Sequence, residues 1–130
     1  MNEDQRLVLA RSWIEKADAA LLDARLLLEN DRLHSCVNRL YYAVFYAASA
    51  VLAYRNQAYG KHSAVRSAFH RDFVNTGLVK KEHGRMYDIL LGRREQSDYQ
   101  PAITFQTAEV AEYMNAARQI IDACRSLVSV

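Results

Sequence analysis

"NRLYYAVFYAASAVLAYR" (residues 38–55) places Asn38 and Arg39 at the head of fourteen residues, 41–54, that are apolar or aromatic apart from Ser49. Such a segment suits a membrane span, the centre of a core, or the wall of a buried polar site. A span needs about 20 consecutive apolar residues. This run is shorter, so a core helix is expected, in a chain that stays off the membrane. At about 100° per residue, Val37, Leu40, Tyr41, Val44, Phe45, Ala48, Val51 and Leu52 share one broad sector, and Ala43, Ala47 and Ala50 line a second. Asn38, Arg39, Tyr42, Tyr46 and Ser49 share a third. No sector is strongly charged, so the helix is expected in the middle of a bundle or beneath another subunit.

Arg39 then sets a chemical demand. An unpaired charge in such surroundings costs several kcal/mol, so its guanidinium is expected to find an acid, a cluster of carbonyls or a bound phosphate. Tyr42 and Tyr46 add hydroxyls further along the same sector. The residues permit two readings: a network that fixes helix register, or a polar pocket that takes a ligand or a partner.

Outward from this helix the chain keeps to the helical period. Leu7, Ala10, Trp13, Ile14, Ala17, Ala20, Leu21, Ala24, Leu27 and Leu28 predict a first helix over about 4–29, broken by "ENDR". The core helix itself is expected over about 33–54, ending before "RNQAYG", where Gly60 suits a turn. A third helix is expected over about 62–75, closed by "NTG" with Gly77 as its C-terminal cap. A fourth over about 79–96 should stop before "SDYQP", since Pro101 opposes continuation. The last should start near Thr107 as N-cap and carries Val110, Tyr113, Met114, Ala117, Ile120, Ile121, Cys124, Leu127 and Val128 as one stripe. With one Pro, four Gly and no repeat or linker, the expected architecture is a single all-α domain, 1–130, an antiparallel up-and-down bundle of four to five helices.

Cys36 and Cys124 fall in apolar-periodic stretches and read as core thiols of a reducing cytoplasm. "MNEDQRLVLAR" lacks the basic-then-apolar pattern of a signal peptide, in keeping with a cytoplasmic chain. The net charge is only +2, but residues 61–94 hold eight Lys or Arg against three acids, and three of the four His. A basic half of this kind attracts RNA or an acidic partner, or is simply a set of solvated helix faces. None of the His and Cys spacings makes a metal site, and no glycine-rich phosphate loop is present, so no metal and no cofactor are expected.

A second polar knot, "GRREQSDYQP" (92–101), ends the fourth helix with Arg93, Arg94, Glu95, Asp98 and Tyr99. Cations there favour the helix dipole. Adjacent arginines with Asp and Tyr one turn on also suit a phosphate-handling or inter-helix ion-pair site. Taken together, "NRLYYAVFYAA", "GKHSAV", "FHRDFVNTGLV" and "RREQSDY" resemble the HEPN domain, and the likeness runs from the first helix to "AEVAEYMNAARQII". The resemblance implies a dimerising helical bundle, also like nucleotidyltransferase substrate-binding subunits, and so a homodimer. It implies a minimal nucleotidyltransferase as partner protein, often in a toxin–antitoxin pair, and RNA or a nucleotide as ligand.

Active members are metal-independent RNases whose motif is Arg, four to six residues, then His. On this chain Arg93 or Arg94 matches the Arg, and the His position falls on Asp98 or Tyr99. An imidazole moves protons near neutrality, whereas an ordinary Asp is ionised there and repels a phosphodiester. The resemblance therefore implies a binding protein with a degenerate motif, in which Asp98 neutralises Arg39. Its alternative is an active RNase toxin that uses Arg93 and Arg94 with Tyr99 or His62. His62 opens the third helix, where the dipole favours an anion; His34, His70 and His83 read as surface or boundary residues. Tyr99, exposed near a helix end, also suits a site that a paired nucleotidyltransferase modifies.

Overall fold

The computed structural model describes residues 1–128, which form five helices: α1 (Glu3–Glu29), α2 (Leu33–Tyr54), α3 (His62–Phe69), α4 (Lys81–Tyr99) and α5 (Thr107–Leu127). Among the described residues there is no strand, and the all-α bundle expected from the periodicity is the fold found. α2 lies at its centre and contacts α1, α3, α4 and α5. Val37, Leu40, Tyr41, Val44, Val51 and Leu52 are sealed from solvent, as are Phe69, Phe73, Tyr87, Leu90, Ile120 and Ile121 around them. By length and composition α2 itself passes as a membrane span, a longer apolar helix than the run 41–54 alone suggested. Its apolar window is 72% buried, so that surface is used against the other helices.

Local chemistry sets the ends. Asn2 and Gln5 form a reciprocal cap on α1, with Gln5 N–H donating to Asn2 Oδ1 at 2.8 Å and Asn2 N–H to Gln5 Oε1 at 2.9 Å. Asp31 takes φ +58° and lets Arg32 N–H return to the Leu27 carbonyl, so α2 folds straight back along α1. The turn after α2 is made by Asn56 at φ +61°, an asparagine tolerating the left-handed region, and not by Gly60. Gly77 does adopt φ +83°, where other residues are strained.

Three boundaries differ from the sequence expectation. α3 ends at Phe69 and gives way to one π turn, 70–74, closed by Asn75 N–H on the His70 carbonyl at 2.8 Å. This wider turn brings both Phe73 and Val74 into the core. α4 runs to Tyr99 instead of stopping near 96, because Pro101 restrains the backbone of Gln100 and nothing earlier. Ser97 and Asp98 are therefore helical, on the face that Arg94 occupies one turn before. Thr107 is the first residue of α5, whose N-cap is Gln106.

Where α4 crosses the π turn, the backbones approach through Gly84. A methyl there would meet the two Val74 methyl carbons at 2.9 and 3.0 Å and His70 Cε1 at 3.0 Å. Gly84→Ala is expected to cost about 1–3 kcal/mol despite alanine's better helix propensity. Urea unfolding measures this, and a variant as stable as the parent would disprove the close fit.

Candidate functional site

α2 presents its partly exposed sector, Asn38, Arg39, Tyr42 and Tyr46, between α1 and α4. Arg39 donates from Nε and Nη2 to Asn38 Oδ1 at 3.2 and 3.0 Å, and its guanidinium carbon stands 5.0 Å from the centre of the Tyr42 ring. Arg94 reaches across from α4, its guanidinium carbon 5.1 Å from the Tyr41 ring and 5.3 Å from that of Tyr42. Two cations thus share Tyr42. On the α1 side, Trp13 stacks on Tyr46 at 5.8 Å and the Lys16 ammonium stands 4.8 Å from the Tyr46 ring, extending the alternation of rings and cations.

At the far side of Tyr41, His62 at the start of α3 stacks on Phe45 with ring centres 4.1 Å apart, and its Nδ1 lies 3.2 Å from the Tyr41 hydroxyl. Burial pushes that phenol above its ordinary range, against the pull of Arg94, so it stays neutral and able to donate. The helix that sequence periodicity places at His62 is what brings the imidazole to this point.

The expected partner of Arg39 is a correction. Among the described residues no carboxylate lies within ion-pair distance of it. Asp98 instead pairs along its own helix with Arg94, Nε to Oδ2 at 3.4 Å. Arg39 is half-buried and not sealed, so its charge is met by an amide oxygen, an aromatic face and water. Arg39 and Asp98 nevertheless line one open cleft of about 400 Å3, together with Asn38, His34 and Ser97. Arg93 also departs from expectation. It turns away from α2 towards α5, donating to both Glu109 oxygens at 2.9 and 3.1 Å and to Gln96 Oε1 at 2.8 Å, above the Phe105 ring. Desolvation opposes ionisation of Glu109, but the Tyr113 hydroxyl and Arg93 outweigh it and hold the carboxyl below its usual range. Of the two arginines, Arg94 belongs to the α2 face and Arg93 ties the bundle.

Replacing Asp98 therefore removes an exposed i, i+4 pair and no buried partner of Arg39. Asp98→Ala is expected to cost under about 1 kcal/mol; a fall of several kcal/mol in urea unfolding would revive the buried-pair reading.

Tyr99 is 81% exposed at the end of α4, outside this cluster. His34 and Ser97 are the residues that sequence reasoning missed. His34 Nδ1 lies 2.6 Å from Ser97 Oγ and Nε2 lies 2.8 Å from the Ile103 carbonyl oxygen. Its position four residues before Asn38 was the available signal, since that spacing shares a helix face. His83, read as peripheral, is buried. Burial drives the Cys36 thiol to about 11 and the Cys124 thiol to about 12, which leaves both protonated. Among the described residues no three His, Cys, Asp or Glu side chains gather as a metal site would require.

Comparison with known proteins adds kinship to this geometry. The model of the HEPN domain matches residues 10–127. A "UPF0332 protein" of Thermotoga maritima is 41% identical over 128 residues, 98% of this chain and 96% of the relative. A Methanocaldococcus jannaschii protein named "Putative toxin MJ0605" is 34% identical over 99 residues, 76% of this chain and 73% of the relative.

Proposed function

The chain belongs to the HEPN domain family, and on that premise we propose that it works by holding an anionic ligand, the phosphate of an RNA strand or a nucleotide, on the face built by Arg39, Tyr42 and Arg94. The observation that carries this reading is the pair of guanidiniums about one tyrosine ring, with Asp98 the single carboxylate paired to either among the described residues. Such a face retains net positive charge, and a planar guanidinium matches phosphate oxygens in geometry. The toxin name carried by one relative supports a place in a toxin–antitoxin pair. On this reading the chain acts as a homodimer beside a minimal nucleotidyltransferase. Ala43, Ala47 and Ala50 are fully buried within one chain, so the small-residue stripe of α2 is used inside the protomer.

A second reading, RNA cleavage, has one observation in its favour: the Tyr41 hydroxyl and His62 imidazole are hydrogen-bonded beside Arg94, the arrangement a proton relay needs. Tyr99 has no such neighbour among its described contacts.

Both readings meet in one experiment. A fluorescently labelled single-stranded RNA is titrated with the protein, anisotropy reports binding, and a gel of the same samples reports cleavage. Binding without cleavage is the expected result. Cleavage that vanishes in His62→Gln moves the conclusion to the second reading, and absence of binding at low salt overturns both.

A further inference from the structure

The His34–Ser97 contact does more chemically than join two helices. His34 sits in the first turn of α2 and Ser97 in the last turn of α4, 63 residues apart, yet Nδ1 and Oγ are 2.6 Å apart. The carbonyl oxygen of Ile103 can only accept, so the nitrogen facing it at 2.8 Å carries a hydrogen. In the neutral ring Nδ1 is then bare and takes its hydrogen bond from the Ser97 hydroxyl. The Phe105 ring meets the imidazole edge-on at 4.9 Å and holds its plane. A hydroxyl, a base within hydrogen-bond reach and a third group that fixes the base are the parts of an activated nucleophile.

The surroundings supply the remaining part. Ser97 and His34 both line the open cleft, and neither is sealed from solvent. Asn38 lies one helical turn beyond His34 on the same face, and its Oδ1 is occupied by Arg39, which leaves its amide hydrogens and the outer guanidinium edge free to meet an oxyanion. The charged groups on the cleft wall beside the imidazole are Arg39 from α2 and Asp98 from α4; the chain after α4 contributes the Ile103 carbonyl and the Phe105 ring, over which Arg93 lies.

We propose that Ser97 is a nucleophile activated by His34, acting on the phosphorus of a terminal phosphate monoester held in this cleft by Arg39, a group that the internal diesters of an RNA strand do not present. In the step, Oγ bonds to phosphorus while its proton passes to His34 Nδ1. The bond from phosphorus to the leaving oxygen breaks, and Nδ1 returns the proton to that oxygen, so a neutral alcohol departs and Ser97 is left as a phosphate ester. The guanidinium of Arg39 faces the charge that grows on the non-bridging oxygens.

The test uses the whole chain and a fluorophosphonate carrying a reporter, whose fluoride is the leaving group. Mass spectrometry of the digested protein reads the site, and the rate is followed across pH 5 to 8. The expected adduct is on Ser97, absent in Ser97→Ala and unchanged in Ser12→Ala, and it forms about 100-fold more slowly in His34→Gln. In the unaltered protein labelling should slow in acid, because a protonated imidazole cannot take the Ser97 proton, and this readout needs no variant to fold. No adduct, one spread over other hydroxyls, or a rate indifferent to pH and to His34 overturns the proposal.

Discussion

The double variant Arg39→Ala/Arg94→Ala is expected to bind single-stranded RNA about 100-fold more weakly than the unaltered chain. Each guanidinium offers charge-assisted hydrogen bonds, worth about 1.5–3 kcal/mol apiece where the partner is ionised. Two lost at the lower figure give about two orders of magnitude. The salt dependence should change with them. Each phosphate neutralised on a single strand contributes about 0.7 to the slope of log affinity against log salt. Losing both contacts should flatten that slope by about 1.4. The fold should survive, because what the bundle loses is cation–aromatic contact worth about 0.5–1 kcal/mol at each site and the Arg94–Asp98 pair, worth under about 1 kcal/mol. Anisotropy titrations at several salt concentrations, with thermal melts alongside, make the measurement. Unchanged affinity and slope would remove this face from consideration as the anion site.

Phe69→Ala should be the most damaging single change to stability, at about 3–5 kcal/mol. Phe69 is fully buried and its ring lies 5.8 Å from Phe73 and 5.7 Å from Tyr87. Its loss leaves a cavity where α3, the π turn and α4 meet. α3 has eight residues, too few to persist without packing, so the variant should release its first residue, His62, from Phe45 and Tyr41 as well. A lowered urea midpoint accompanied by faster hydrogen exchange across 62–74 is the expected signature. An unaltered midpoint would mean that Phe69 does not anchor the helix.

How much of this was legible in the sequence depended on whether the deciding interaction was local. The bounds of α2 could be read directly, because one unbroken apolar period runs between polar flanks. The end of α4 could not, since a proline announces that a helix must stop without saying how late. That single misplacement carried the error about Arg39. With "SDY" taken as loop, Asp98 was free to reach α2; on a helix it lies four residues from Arg94, and the nearer cation takes it. The π turn was invisible because a single widened turn barely disturbs the period on either side. Arg93 and Arg94 are adjacent in sequence yet diverge to α5 and α2, which only the packing of three helices decides. The pairing of His34 with Ser97 joins distant segments, and only its α2 half left a trace in the spacing.

Four of the five buried residues of α1 are alanines, and α1 comes close enough to α2 for the Cys36 thiol to donate to the Ala24 carbonyl at 3.2 Å. A methyl has no rotamers to exchange, so such a joint has nothing with which to absorb a sliding or rolling helix. The wall that carries Asn38, Arg39 and Tyr42 is thereby held as stiffly as masonry. Whatever docks there must do the bending itself, and a floppy strand is better suited to that task than a rigid duplex.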